Sequence, residues 1–321
     1  MKKNILRAIL TIFFLVIPFF AFSLQKLTVV LDWFVNPNHA PLFVAKQQGY
    51  YKKLGLDVNF IAPADPSDPP KWVAVGKADL AIDYQPQYLM EVANGLPLVQ
   101  VGTLIDQPLS CLVVLQNGPI KTIKQLQGKR VGSSGGASDV ILQTMLAKNG
   151  LNLQQVQLID VHYSLLQALL SKKIDAASGM MRNFELIQMQ LIGQPGRAFY
   201  PEENGVPSYD ELIFVANKKS ANNPAIKAFL QATAEGVNYL RQNPEIAWKQ
   251  FASEHPELNN TLNQRAWFAT IPTFTNNPSQ IHEAQCKKLA DYLQKTMHIN
   301  IPASACGYGA DSKLPLKLGG L

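Results

Sequence analysis

Short runs of β-forming residues alternate with helix-patterned stretches, and this alternation narrows the possible folds more than any other feature of the chain. Strand-like segments at residues 27–31, 57–61 and 80–82 are separated by helical stretches at 40–48 and 69–76. That order reads as βαβ units and a mostly parallel sheet. Pro41 near the start of the first helix and Gly49 just beyond its end fit the usual asymmetry of helix termini. From about Lys121 the order begins again: a strand after Gly128-Lys129-Arg130, a Gly/Ser loop, a helix over 138–149 ended by Gly150, then a strand at 156–161 and a helix at 165–171. The run KIDAA at 173–177 echoes KADLA at 77–81, a weak internal repeat that implies two lobes of related build.

Two strongly β-forming runs, LVVL at 112–115 and LIFV at 212–215, flank the second unit. If the chain leaves the first lobe by one and returns by the other, they are paired crossover strands and form the hinge. The expected layout is a leader at 1–23, a first lobe from 24–113 plus 215–321, and a second lobe from 114–214. Helix-rich stretches at 222–250 and 280–297 complete the first lobe.

The leader is read from Lys2, Lys3 and Arg7, an apolar run over 8–20 and the small-x-small pattern Ala21-Phe22-Ser23. The run is shorter than the roughly 20 residues a spanning helix needs, so a cleaved secretory signal and a periplasmic product are expected. Removing those three cations takes the formal charge from +6 to +3. With no dense Lys/Arg run remaining, nucleic acid is not an expected partner, and the chain reads as a monomer. Of the three cysteines, Cys111 sits in an apolar run. Cys286 and Cys306, both near the C-terminus, form a candidate bridge that the sequence leaves open. No Cys/His spacing suggests a metal, and nothing calls for a cofactor.

Ligands of open parallel α/β sheets gather at loops beyond the carboxyl ends of strands, and four such loops are chemically rich. DWFVNPNH at 32–39 offers Trp33 as a flat apolar face, with Asn38 and His39 as two-way hydrogen-bonding groups; Asn38 reads equally as a helix cap and Trp33 as core packing. DYQPQ at 83–87 follows a strand, with Asp83 either a cap or a cleft residue. GSSGGAS at 132–138 opens a helix whose free N–H groups favour polar oxygens. It also spells G-x-S-x-G around Ser134, the nucleophile-elbow pattern of hydrolases, for which His162 is the only histidine directly after a strand. MRNFE at 181–185, joined by SYDE at 208–211, adds carboxylates; Arg182 and Glu185 read alternatively as a surface ion pair.

Taken in order, LDWFVNPNHAPLFVAKQQGYYKKLGLDV, GKADLAIDYQPQ, LQGKRVGSSGG, GMMRNFELIQMQ and GVPSYDELIFVANK resemble the periplasmic solute-binding proteins of the thiamine-precursor-binding type, relatives of the fungal thiamine-pyrimidine synthase. The resemblance implies a two-lobed type II periplasmic-binding fold of the α/β class that closes on an aromatic heterocycle and delivers it to an ABC permease. Carried over by motif, the ligand contacts are Trp33, Asn38, His39, Tyr84, Gln87, Asn183, Glu185, Tyr209 and Asp210, with the Ser134 loop closing the far side. The expected ligand is a formylated aminomethylpyrimidine or hydroxymethylpyrimidine, with riboflavin or a sulfonate as alternatives. The synthase chemistry is not expected. Asp83 and Gln87 stand where that enzyme has its pyridoxal-phosphate lysine and a histidine, its cysteine-rich run has no counterpart here, and without an amine no Schiff base forms.

Overall fold

The computed structural model describes residues 23–307; the expected leader lies outside them apart from Ser23. In chain order the strands are β1 (Gln25–Val30), β2 (Leu56–Ile61), β3 (Leu80–Tyr84), β4 (Leu98–Ile105), β5 (Ser110–Leu115), β6 (Arg130–Ser133), β7 (Gln157–Asp160), β8 (Ala176–Met181), β9 (Gly196–Phe199) and β10 (Leu212–Asn217). They form two five-stranded sheets of matching order, β2-β1-β3-β10-β4 and β7-β6-β8-β5-β9. In each, three strands pair in parallel and the strand that follows a crossing is inserted antiparallel. The sheets are therefore mixed, and both are flanked by helices.

The echo between KADLA and KIDAA has a physical cause. Asp79 Oδ2 accepts the Thr28 N–H on β1 at 2.7 Å, and the Asp79 N–H donates to the Thr28 carbonyl at 3.0 Å. Asp175 repeats both bonds with Arg130 on β6, at 2.9 and 2.8 Å. In each lobe one aspartate docks the third parallel strand onto the first. Asp175 additionally forks onto the Arg130 guanidinium, at 3.0 and 2.8 Å.

The two apolar runs expected to pair with each other do not. Residues 112–115 lie in β5, between β8 and β9, and 212–215 lie in β10, between β3 and β4. Leu112, Val113 and Val114, like Leu212 to Val215, are almost wholly buried, as interior strands with neighbours on both edges must be. The crossings come just before each strand, at residues 106–109 and 200–211. The expected boundaries at 113/114 and 214/215 thus fall inside strands that each belong whole to one sheet.

The helices are α1 (Ala40–Gln47), α2 (Tyr50–Lys53), α3 (Pro69–Ala74), α4 (Gln85–Ala93), α5 (Ala137–Lys148), α6 (Leu165–Leu170), α7 (Glu185–Leu191), α8 (Pro224–Gln242), α9 (Pro244–Glu254), α10 (Thr261–Thr270) and α11 (Glu283–Met297). Gly49 ends α1 in the left-handed region at φ 71°, as its position just past the helix implies. Gly236 lets α8 lie against α1, because a Cβ there would stand 2.3 Å from the Pro41 carbonyl oxygen. One apolar core covers the outer face of the first sheet with α1 and α8. A second is shared: Val30 and Ile213 of the first sheet, Leu112 and Val131 of the second, and Cys286, Leu289 and Leu293 of α11 belong to a single cluster. The last helix therefore packs into core common to both lobes.

Cys286 and Cys306 are joined, with Cα atoms 5.5 Å apart, while Cys111 is a buried free thiol. The bond fastens the closing turn to α11, where the Ala305 carbonyl accepts the Tyr88 hydroxyl of α4 at 2.8 Å. Bridging a loop of this length restricts the unfolded chain by roughly 3 kcal/mol. Replacing both cysteines by serine is expected to lower unfolding free energy by about that amount in urea titrations; an unchanged midpoint would show that the bridge contributes nothing.

Candidate functional site

The turn after β1 is organised around a buried carboxylate. Asp32 is 3 % exposed; its Oδ1 lies 2.9 Å from His39 Nε2, and its Oδ2 accepts the Tyr84 hydroxyl at 2.8 Å. The Asn36 N–H points at His39 Nδ1 at 3.3 Å. That contact places the ring proton on Nε2, where it donates to Asp32. The Asn36 side chain caps the short 3-10 turn Pro37–His39 by accepting the Asn38 N–H at 2.8 Å. Capping thus falls to Asn36, and Asn38 is left to reach elsewhere. His39 and Tyr84 reach their partner within the protein, as supports of the turn.

Across the seam, the loop after β8 meets this turn. Asn183 Nδ2 donates to Asn38 Oδ1 and to Thr270 Oγ1 of α10, both at 2.7 Å, while its own Oδ1 is buried without a partner among the described residues. Half-buried Trp33 meets Tyr163, from the loop after β7, edge to face with ring centres 5.1 Å apart. Gln87 bonds Glu91 at 3.1 Å and abuts the second lobe's Gly/Ser loop, where a Cβ on Gly136 would lie 3.1 Å from its Oε1. Glu185 does not pair with Arg182; its Oε2 accepts the Met181 N–H at 2.7 Å, and burial holds its carboxyl above the usual range. Arg182 instead forks onto Glu202 at 2.7 and 3.0 Å.

The adjacent acids at the return crossing divide. Asp210 is fully buried and turned into the first lobe, with His282 at 2.9 Å, Thr103 at 3.1 Å and Gln285 at 3.3 Å around its carboxylate. Glu211, which was not among the expected contacts, lies close enough to Tyr84 and Asp32 for their charges to interact. Tyr209 is buried and its hydroxyl has no partner among the described residues. Asp32, Tyr163 and Glu211 are the seam residues that sequence reasoning missed. The signal for Tyr163 was its place directly after a strand, in the loop already searched for His162.

Ser134 is half-buried in the loop before α5 and makes no side-chain hydrogen bond to a histidine among the described residues. His162 is 82 % exposed and lies beside Asp160 at 3.4 Å. The flanking Ser133 hydroxyl donates to Asp139 in the first turn of α5. Among the described residues, a serine nucleophile there has no histidine base in place. A cavity of about 670 Å³ opens away from the seam, between α5 and α11.

Comparison with known proteins places this geometry. Residues 36–247 match the family described as NMT1/THI5 like. The chain belongs to that family. It is 45% identical over 295 residues to a Haemophilus influenzae protein named for thiamine biosynthesis, covering 91% of this chain and 94% of that one. It is 32% identical to the formylaminopyrimidine-binding protein of Halalkalibacterium halodurans, covering 75% and 74%. A 4-amino-5-hydroxymethyl-2-methylpyrimidine phosphate synthase of Legionella pneumophila is 27% identical, covering 78% and 80%. Among solved structures, the alkanesulfonate-binding protein of Xanthomonas axonopodis pv. citri superposes with a TM-score of 0.68 at 17% identity, covering 88% and 96%. That likeness shows the periplasmic-binding-protein fold.

Family members thus include binding proteins and synthases, and position 83 is where the resemblance placed the synthase lysine. Here Asp83 is 4 % exposed, and its Oδ1 accepts the Tyr84 N–H at 2.8 Å. Its Oδ2 and Glu91 Oε2 are buried without other partners. Burial and mutual repulsion hold Asp83 well above the usual carboxylate range, and burial also raises Glu91. Two such carboxyls disfavour each other's ionisation, and a proton shared between them would relieve both. A raised folded pKa means the fold binds protons that the unfolded chain has released, so this pair's stability is lost as pH rises above the ordinary carboxylate range. Asp83→Asn is expected to flatten the decline in unfolding free energy between pH 5 and 8; an unaltered pH profile would contradict the shared proton.

Proposed function

We propose that this chain is the solute-binding component of an ABC importer, exported to the periplasm, which captures a thiamine-related aminopyrimidine between its lobes. The observation that carries the reading is the composition of the seam: rings from the two lobes, Trp33 and Tyr163, meet there, and the Tyr84 ring at the same turn lies within charge range of Asp32, Glu185 and Glu211. An aminopyrimidine offers a flat face to the rings and N–H donors to the acids. The buried, partnerless Asn183 Oδ1 is a further acceptor suited to such a donor. A sulfonate would bring negative charge to a site already acidic, and Arg182, the cation nearby, is committed to Glu202. The relative named as a formylaminopyrimidine-binding protein supports the same ligand class.

The lobes touch through Asn38 and Asn183, so entry requires opening about the two crossings, and closing completes contacts that neither lobe makes alone. A buried Asp83 in place of an amine supports binding rather than synthase chemistry.

Calorimetry with a formylated aminomethylpyrimidine and with hydroxymethylpyrimidine tests this. Glu185→Ala removes an acceptor contributing about 1.5–3 kcal/mol, a loss of roughly 10- to 150-fold. Trp33→Ala removes ring contact of about 0.5–1.5 kcal/mol, roughly 2- to 13-fold. Wild-type affinity in both variants, or tighter binding of an alkanesulfonate than of either pyrimidine, would rule the reading out.

A further inference from the structure

The two crossings are not paired as strands, yet they are tied together by side chains. Glu211, the last residue of the return crossing, is 2 % exposed, and its Oε2 accepts the N–H groups of both Leu109 and Ser110, at 2.5 and 3.1 Å. Leu109 ends the outgoing crossing and Ser110 begins β5. Their carbonyls face the other way, toward Arg182. The Leu109 oxygen accepts the Arg182 backbone N–H at 2.9 Å and Nε at 3.3 Å, and the Ser110 oxygen lies 3.5 Å from Nη2. Arg182 is itself held by Glu202 and by the Tyr200 ring 4.2 Å beneath its guanidinium, both on the return crossing. One dipeptide is therefore gripped on its N–H side by an acid rooted at β10 and on its C=O side by a guanidinium rooted at β8.

We propose that Glu211 is the positioning residue of the hinge, which holds the closed arrangement by fastening residues 109–110 and, through Arg182, sets the loop that carries Asn183 and Glu185. The inference rests on the crossings alone and stands whatever ligand the seam takes. Rotation of the lobes about residues 106–109 and 200–211 strains this grip, because Glu211 and Arg182 belong to different lobes and hold the same two peptides. Opening that frees Glu211 also returns its carboxylate to water.

This gives the grip a signature that packing alone lacks. Burial pushes the Glu211 carboxyl up to about 7, against the pull of the Leu109 and Ser110 N–H groups and of Arg182, with Asp32 adding to the rise. Tyr84, Tyr209 and Cys111 are the other titratable groups around it, each close enough to be raised by the Glu211 charge. The closed hinge then holds a proton that a rehydrated Glu211 gives up, so the closed form is favoured below the folded pKa and loses that advantage as pH rises through it.

The test uses the mature ligand-free protein with spin labels at K52C and K172C, one on each lobe, reading the interlobe distance distribution. From pH 6 to pH 8 the closed-to-open ratio is expected to fall by up to about tenfold if opening fully rehydrates the group. Glu211→Gln, which keeps the shape and removes the titration, is expected to abolish that pH dependence. Arg182→Lys, which loses the planar fork, is expected to shift the population toward open at both pH values. A ratio that does not change with pH in the wild type, or that changes equally in Glu211→Gln, overturns the proposal. Should Glu211→Gln fail to give a cooperative melt, the wild-type titration and Arg182→Lys still decide it.

Discussion

The carboxylate of Asp32 is the contact on which the seam depends. It is buried at the end of β1, where an ionised group is costly unless hydrogen-bonded, and it takes the His39 Nε2–H on one oxygen and the Tyr84 hydroxyl on the other. Each such bond to a charged group contributes on the order of 1.5–3 kcal/mol. Together they fasten three separate pieces of chain: the end of β1, the 3-10 turn and the end of β3. With the turn fixed at both ends, Trp33 and Asn38 are held toward the second lobe, and the capping task is left to Asn36. The density of polar groups in DWFVNPNH is the sum of these jobs, part scaffold and part reach across the seam.

Interlobe contact is built from few, directional interactions at this edge and from continuous apolar packing behind it. Asn183 spans to Asn38 and to Thr270, while α11 lies in core shared by both sheets. The arrangement suits a jaw: a shared core around α11, crossings clasped by Glu211 and Arg182, and an opposite edge whose small set of hydrogen bonds a ligand can replace or complete. Acid predominates at that edge, and under the proposed reading it would select against anions and for ring systems bearing N–H donors.

Much of this was legible in the sequence because it is periodic or repeated. The βαβ order, the helix ends at Pro41 and Gly49, and the Asp79/Asp175 joint all leave local marks. Other features leave none. β4 went unread because Gln100 and Thr103 interrupt its apolar pattern; both are buried, and they belong to the polar network around Asp210 and Gln85. The pairing partners of 112–115 and 212–215 are a matter of which sheet each strand enters, and an apolar run does not specify that. Of the neighbouring acids Asp210 and Glu211, sequence offered no way to tell which turns inward to His282 and which faces the crossings. Likewise Arg182 and Glu185 sit at ion-pair spacing, yet Arg182 pairs with Glu202 on the return crossing and Glu185 turns back to the Met181 N–H of its own loop.

The claim that the acidic, ring-lined seam holds an aminopyrimidine is tested most directly by the native cargo. Mass spectrometry of small molecules released by denaturing protein freshly purified from its native host is expected to yield an aminopyrimidine approaching one equivalent per chain. Recovery of a sulfonate or another anion in that amount would contradict it.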